Sequence, residues 1–361
     1  MNEVLIDVKD LRVEFDVRAG IVKAVDGLDL TIRRGQTVGV IGESGCGKSI
    51  TARAIMRMVP KPGKVTSGQV MYYRKAKEGK KNLKDEVLDI NKLAPDGDVI
   101  RQIRGGEIGM IFQEPMSSLT PVYTAGFHIN EALNLHRLVP AKKLGDQMAD
   151  TMMAYRNVTK EESREIAIAM LRKVGIPKPD QRVDSYPHQL SGGQRQRVMI
   201  AIALSCEPEM LIADEPTTAL DVSIEAQILD VMRDLQNNAN MAIMFITHNL
   251  GVVAEMAEEM VVMYMGKQVE RAKTVSLFYE PKHPYTQALL KSIPKIGRRT
   301  GSRLATIEGM VPDPFHLPTG CVFHPRCPMF MPGKCDKIAP TYQKVAEDHW
   351  VSCLLYEDVK P

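Results

Sequence analysis

GESGCGKS, residues 42 to 49, sets three glycines, a lysine and a serine in the spacing G-x-x-x-x-G-K-S. Gly42, Gly45 and Gly47 let the backbone turn its N–H groups inward around phosphate oxygens, and the helix that follows adds its positive end. Lys48 can then reach the β- and γ-phosphates of a nucleoside triphosphate, and the Ser49 hydroxyl can bind Mg²⁺. Glu43, Ser44 and Cys46 fill the variable positions of this loop. Cys46 lies near Lys48 and a helix start, so its thiol pKa is expected to be lowered and its alkylation to block nucleotide binding. A second motif, MLIADEP at residues 210 to 216, ends an apolar run in two carboxylates. Asp214 at the strand end can hold Mg²⁺ through its water shell, and Glu215 can accept a proton from an attacking water. A third, LSGGQRQR at residues 190 to 197, puts Ser191 and two glycines at a helix start and so makes a second anion cradle.

These loops require strands and helices that end beside them. QTVGVIG predicts a short apolar strand running into the first glycine loop, and SITARAIMRMV a helix closed by Pro60, Pro62 and Gly63. VLIDVKDLRVEF and VDGLDLTI alternate with period two, as half-buried strands do. EIGMIFQ, MLIAD and MAIMFIT read as strands, with GGQRQRVMIAIALS and IEAQILDVMRDLQ as helices between them. Residues 126 to 185 are mostly helical in pattern, and EESREIAIAMLRKVG closes on Gly175. MVVMYMGKQVERA predicts a hairpin turning at Gly266. The alternation defines an α/β chain with a parallel-type sheet and a helical insertion. After Ser292 the sequence is punctuated by Gly and Pro and reads as irregular. RKAKEGKKNLK, residues 74 to 84, has six basic residues and one acid; it reads as a solvated loop, with contact to anionic lipid as the alternative.

Composition narrows the function classes. A chain of 361 residues is long enough for two domains. A net charge of +3, one Trp and 5% aromatic residues argue against a nucleic-acid stacking platform. The N-terminus lacks the layout of a secretory signal, and no run approaches the roughly 18 apolar residues of a membrane span. A cytosolic chain is expected, with any membrane role arising through partners.

GESGCGKS, LSGGQ, LIADEP, TALD and ITH, in this order, resemble the nucleotide-binding subunit of an ABC transporter over roughly residues 3 to 290. The resemblance implies an ABC-type P-loop domain over residues 1–290: a RecA-like core sheet, an antiparallel β part and a helical subdomain at about 126–188. It implies that Gln113, in IFQEP, senses Mg²⁺ and the γ-phosphate, and that Asp221, in TTALD, belongs to a loop crossing a dimer interface. His248, in FITHN, would contact the γ-phosphate, joining Glu215 and Gln113 as catalytic residues, while Ser49, Gln113 and Asp214 would hold Mg²⁺. Phe15, in LRVEF, falls where the family stacks an aromatic on adenine, although it could equally be a core residue of its strand. ATP held by Gly42–Ser49 of one subunit would be capped in trans by Ser191, Gly193 and Gln194 of a second.

HPYTQALLKSIP and PTGCVFHPRCP, with AVDGLDLTI and MIFQEPMSSLTPVYT, resemble the dipeptide/oligopeptide importer subfamily. That resemblance implies a second, related ATPase subunit (a heterodimer in the cell, with a homodimer open to the isolated chain), two transmembrane permease subunits and, indirectly, an extracellular or periplasmic binding protein. It places the chain at the cytoplasmic face of the cell membrane as a peripheral protein, with no nucleic-acid partner. Peptides are the default cargo; oligosaccharides, nickel chelates or glutathione remain alternatives, and a soluble non-transport ABC ATPase is the competing class.

Cys321, Cys327, Cys335 and Cys353 follow the spacing C-x5-C-x7-C-x17-C. A cytosolic location disfavours disulfides, so four thiolates in Pro-rich sequence could hold Zn²⁺ or a [4Fe–4S] cluster. Spacing alone favours zinc, although neither common C-x-x-C signature is present. The subfamily resemblance implies [4Fe–4S], in a small irregular C-terminal domain over residues 291–361.

Overall fold

The computed structural model describes residues 3–76, 84–113, 119–136, 160–217, 221–293 and 307–357. Most of the basic stretch 74–84, the middle of the helical insertion, part of TTALD and the first residues of the tail lie outside the described residues. The first six strands are β1 (Val4–Val17), β2 (Gly20–Arg33), β3 (Thr37–Ile41), β4 (Gly63–Arg74), β5 (Glu86–Asp89) and β6 (Ile108–Ile111). The next six are β7 (Met210–Asp214), β8 (Ala242–Ile246), β9 (Glu259–Tyr264), β10 (Lys267–Lys273), β11 (Tyr342–Ala346) and β12 (His349–Ser352). The chain divides into two compact units, one of Val4–Tyr72, Leu88–Lys92 and Met244–Pro361, the other of Met1–Glu3, Tyr73–Val87 and Leu93–Ile243.

In the first unit, β1 pairs antiparallel with β2 on one side and β4 on the other. Leu28, Leu30 and Ile32 turn inward while Asp29 faces solvent, which is the period-two pattern seen in the sequence. All five residues of β3 are buried, as a strand covered on both faces requires, and β3 runs parallel to β9 from Val38↔Glu259 to Ile41↔Val262. β9 and β10 form the hairpin expected at Gly266. Met265 and Gly266 both take positive φ (47° and 78°), the two-residue turn whose twist matches that of its strands.

The tail departs from the sequence reading, which had it irregular throughout. β12 pairs antiparallel with β10 through Glu270↔Val351, and β11 pairs with β12, so the end of the chain extends the sheet that carries β3 and β9. His349 and Val351 supply the inward face of β12. Strands of four and five residues with Gln, Lys and His in them carry too little apolar alternation to be read without their partner strand.

In the second unit, β6 and β7 run parallel from Ile108↔Met210 to Ile111↔Ala213, and every residue of both is buried. Helices Ala125–His136, Lys160–Lys173 and Gly192–Leu204 pack on one another, which agrees with the helical pattern read in this region. A buried ion pair fixes the approach to β6: Arg74 donates from Nε and Nη2 to the two carboxylate oxygens of Glu107, each at 2.9 Å, and from Nη1 to Glu86 at 2.5 Å. The side chains of Arg74 and Glu107 are 4% and 2% exposed, so both charges depend on this fork-to-carboxylate match. No helix among the described residues is long and apolar enough to cross a membrane.

Candidate nucleotide site

The loop Gly42–Ser49 leaves the end of β3 and enters helix Lys48–Ile55. Gly47 caps that helix at φ 104°, and a Cβ there would lie 2.1 Å from the Ala24 carbonyl oxygen, so the helix start sits directly on β2. Gly45 has φ 80° with open space where a Cβ would be, which leaves that side of the loop clear for a ligand. Ser44 and Gly45 are exposed, whereas Lys48 is buried. Its ammonium donates to the loop's own carbonyls, Gly42 at 2.8 Å and Glu43 at 3.0 Å. These two bonds hold the lysine head inside the curve of the loop.

Cys46 corrects the sequence expectation. It is 2% exposed, and burial pushes its thiol pKa up by more than the Lys48 cation lowers it. Nearness to a cation was legible in the sequence; the closure of the loop over the sulfur was not. Phe15 is half-buried, and its ring edge fills the space where a Cβ on Gly63 would lie. His248 is exposed, one residue beyond Thr247, whose N–H donates to the Val40 carbonyl at 3.4 Å. The segment before His248 therefore runs beside the strand that feeds the phosphate loop. Asn249 caps the following helix, Leu250–Met256, by accepting from the Gly251 N–H at 3.1 Å.

Sequence reasoning missed the side chains that fix the loop from outside. The Glu43 N–H donates to the Tyr285 hydroxyl at 2.9 Å. Its carboxylate receives Arg326 Nη1 at 2.7 Å and Nη2 at 3.1 Å. Arg326 also donates to the Tyr264 hydroxyl at 3.3 Å and to the carbonyls of Glu308 and Ile307. Tyr264, Tyr285 and Phe323 meet edge-on or tilted, with centroids 4.7 to 5.3 Å apart. Only the clustering of aromatics with HPRC near the tail hinted at this, and Glu43 lies more than 200 residues upstream of both Tyr285 and Arg326.

The second unit holds the carboxylates and the signature helix. Asp214 is buried at the end of β7, and Glu215 follows at φ 48°. A left-handed backbone at a non-glycine residue is uncommon and collects at functional positions. Ser191 caps helix Gly192–Leu204 in a reciprocal box: the Gln194 N–H donates to its hydroxyl at 3.3 Å, and its own N–H donates to Gln194 Oε1 at 3.1 Å. Ser191 and Gly192 are exposed and Gly193 is half-buried, so this helix start is open to an anion from outside. Gln196, buried one turn on, donates from Nε2 to the Pro216 carbonyl and ties the helix to the turn after Glu215. Gln113 is exposed two residues beyond β6, and Asp221 is exposed at the N-cap of helix Val222–Ala239.

Cys321, Cys327, Cys335 and Cys353 line one cavity of the first unit together with Phe323, His324 and Leu354. None of the six cysteines is in a disulfide. Burial raises the thiol pKa of Cys321 and Cys327 and pushes that of Cys353 up to about 12. Among the described residues no group of three or more His, Cys, Asp or Glu side chains is gathered as for a single metal ion. Four cysteines lining one cavity are a donor set that an iron–sulfur group could use.

A glycine-and-lysine loop on a buried parallel strand, an Asp-Glu pair closing another, and an open Ser-Gly-Gly helix start define an ATP-binding α/β protein. The family model "ABC transporter" matches residues 25–218, and "Oligopeptide/dipeptide transporter, C-terminal region" matches residues 269–335. The chain is 44% identical over 354 residues to the oligopeptide transport ATP-binding protein AppD of Bacillus subtilis, covering 98% of this chain and 97% of that one. It is 40% identical over 356 residues to the dipeptide transport ATP-binding protein DppD of the same organism, covering 98% and 96%. A dimeric, post-hydrolysis structure of the ATP-binding cassette MJ0796 bound to ADP and Pi is similar with a TM-score of 0.60 and 26% identity, over 75% of this chain and 99% of that one. The chain belongs to the ABC transporter family, and it is an ATPase.

Proposed function

We propose that this chain is an ATP-hydrolysing subunit of a peptide importer, seated on the cytoplasmic face of the membrane beneath permease subunits. The observation that carries the reading is the near full-length similarity to dipeptide and oligopeptide transport ATP-binding proteins, extending through the C-terminal region. Gly42–Ser49 holds the phosphates, with Lys48 neutralising the γ-phosphate. Ser49, Gln113 and Asp214 would hold Mg²⁺, which supplies charge neutralisation at the β- and γ-oxygens. Glu215 orients the attacking water and takes its proton, and His248 donates to the γ-phosphate. Phe15 offers a ring face to the adenine.

The exposed start of the Gly192–Leu204 helix supports a site completed in trans. Ser191, Gly193 and Gln194 of one subunit cap the nucleotide of the other across an interface that includes Asp221, and water is excluded as the two close. The partner is a second ATPase subunit of the same kind. In the unit that carries Gln113, Val122, Tyr123 and Phe127 are exposed, and the two rings stack at 4.1 Å. An apolar patch of this kind suits the cytoplasmic helices of permease subunits.

Cys321, Cys327, Cys335 and Cys353 would hold a [4Fe–4S] cluster, which would supply the tail with a covalent centre to fold around. The four cysteines share one cavity, and the resemblance to the importer subfamily is what favours this group over zinc.

The test is uptake. In cells lacking other peptide importers, the chain expressed with its permeases and binding protein should support uptake of a labelled dipeptide, and Lys48→Ala should abolish it. Peptide uptake that is unchanged by Lys48→Ala would overturn the reading.

A further inference from the structure

Glu43 is held at three points. Its N–H donates to Tyr285, its carbonyl accepts from Lys48 at 3.0 Å, and its carboxylate is gripped by both terminal nitrogens of Arg326. Arg326 is itself enclosed: its side chain is 4% exposed against 25% for Glu43, and its remaining donors go to Tyr264, Ile307 and Glu308. The Glu43 hydrogen bond raises the pKa of the guanidinium further, so its charge is permanent. A buried guanidinium that meets a carboxylate with its planar fork fixes orientation as well as charge, which a lysine at the same place could not do.

Two kinds of contact converge on the same element. Arg326 directly precedes Cys327 and closes the short helix His324–Arg326. Phe323, before that helix, packs on Tyr285 and Tyr264, the two hydroxyls that serve Glu43 and Arg326. The tail thus reaches the phosphate loop through the Arg326 ion pair, and helix Pro284–Lys291 through the Tyr285 hydroxyl, both ending on a single residue of GESGCGKS. Glu43 leaves none of these partners for solvent, so the second position of the loop is set by residues that lie 242 and 283 positions away in the chain.

We propose that Arg326 and Tyr285 are positioning residues for nucleotide binding: by fixing Glu43 they hold the phosphate loop open in its binding shape. Both lie outside the loop and act through Glu43, Tyr285 on its backbone N–H and Arg326 on its carboxylate. The inference rests on the reading of Gly42–Ser49 as the ATP phosphate site. Without Arg326 the carboxylate of Glu43 is free to swing toward the basic end of the loop, where it competes with phosphate for the Lys48 ammonium. The loss should therefore appear in ATP affinity before it appears in turnover.

The experiment measures binding of a non-hydrolysable ATP analogue and steady-state ATP hydrolysis in the full-length chain for Arg326→Gln, Glu43→Gln, the double variant and Tyr285→Phe. Arg326→Gln should weaken analogue binding and raise KM by about tenfold or more, the scale of a charge-assisted hydrogen bond, with kcat much less affected. Glu43→Gln removes the competing carboxylate, so the double variant should bind better than Arg326→Gln alone; Tyr285→Phe should be milder. Glu43→Gln alters only a partly exposed side chain, so the comparison survives if Arg326→Gln folds poorly. Unchanged affinity in Arg326→Gln, or a double variant that binds worse than either single one, would overturn the proposal and leave Arg326 as an anchor for the tail alone. If the unaltered chain does not bind the analogue, the reading of the phosphate site fails instead.

Discussion

Gln196 and Pro216 are joined by one buried hydrogen bond, from the glutamine side-chain amide to the proline carbonyl. It connects the helix capped by Ser191 to the turn that follows Glu215. Gln196→Leu keeps the bulk but leaves the carbonyl unpaired, at a cost of about 1–3 kcal/mol. The expected outcome is a lower urea midpoint together with a fall in kcat that exceeds any change in analogue affinity. A variant that loses stability but keeps kcat would show that the bond serves the fold only.

The pair Arg74–Glu107 sits where the chain enters β6, the strand that leads to Gln113. Arg74→Met strands a buried carboxylate, and a loss of about 3–5 kcal/mol is expected. Arg74→Met with Glu107→Leu should recover most of that loss, because the double variant leaves no uncompensated charge. Chemical denaturation of the three proteins checks this; a double variant as unstable as the single one would contradict it.

The phosphate loop, the acidic strand end and the capped serine helix were legible in sequence because each is a local device, set by residues within one turn. Cys46 shows where local reading fails. Lysine two residues away was visible, but burial among Gly42, Lys48 and the end of β9 decides the sign of the shift, and burial is a property of the fold. The grip of Arg326 on Glu43 spans 283 positions, and the pairing of β12 with β10 joins a short polar strand to one some 80 residues earlier; neither leaves a periodic trace. The left-handed backbone at Glu215 has no signal at all in ADEP, since glutamate is not a residue that announces such a turn.

A buried, protonated thiol is a poor nucleophile. Cys46 should therefore react with iodoacetamide at neutral pH at least about tenfold more slowly than in the urea-unfolded chain, and ATP should slow it further by closing the loop. Mass spectrometry of timed samples measures both rates. Labelling as fast as in the unfolded chain would show that the thiol is open.

The four tail cysteines give a spectroscopic prediction. The chain purified without air should be brown and contain about four irons per molecule, and Cys353→Ser should lower that content along with the thermal midpoint. A colourless protein with stoichiometric zinc would contradict the cluster.

Glu215→Gln tests the central claim most directly, since it changes one proton acceptor and leaves the phosphate loop intact. With ATP and Mg²⁺, the variant should hydrolyse about 10²–10⁴-fold more slowly than the unaltered chain and should elute as an ATP-stabilised dimer. Turnover close to that of the unaltered chain, or a monomer with ATP bound, would contradict hydrolysis at a site closed between two subunits.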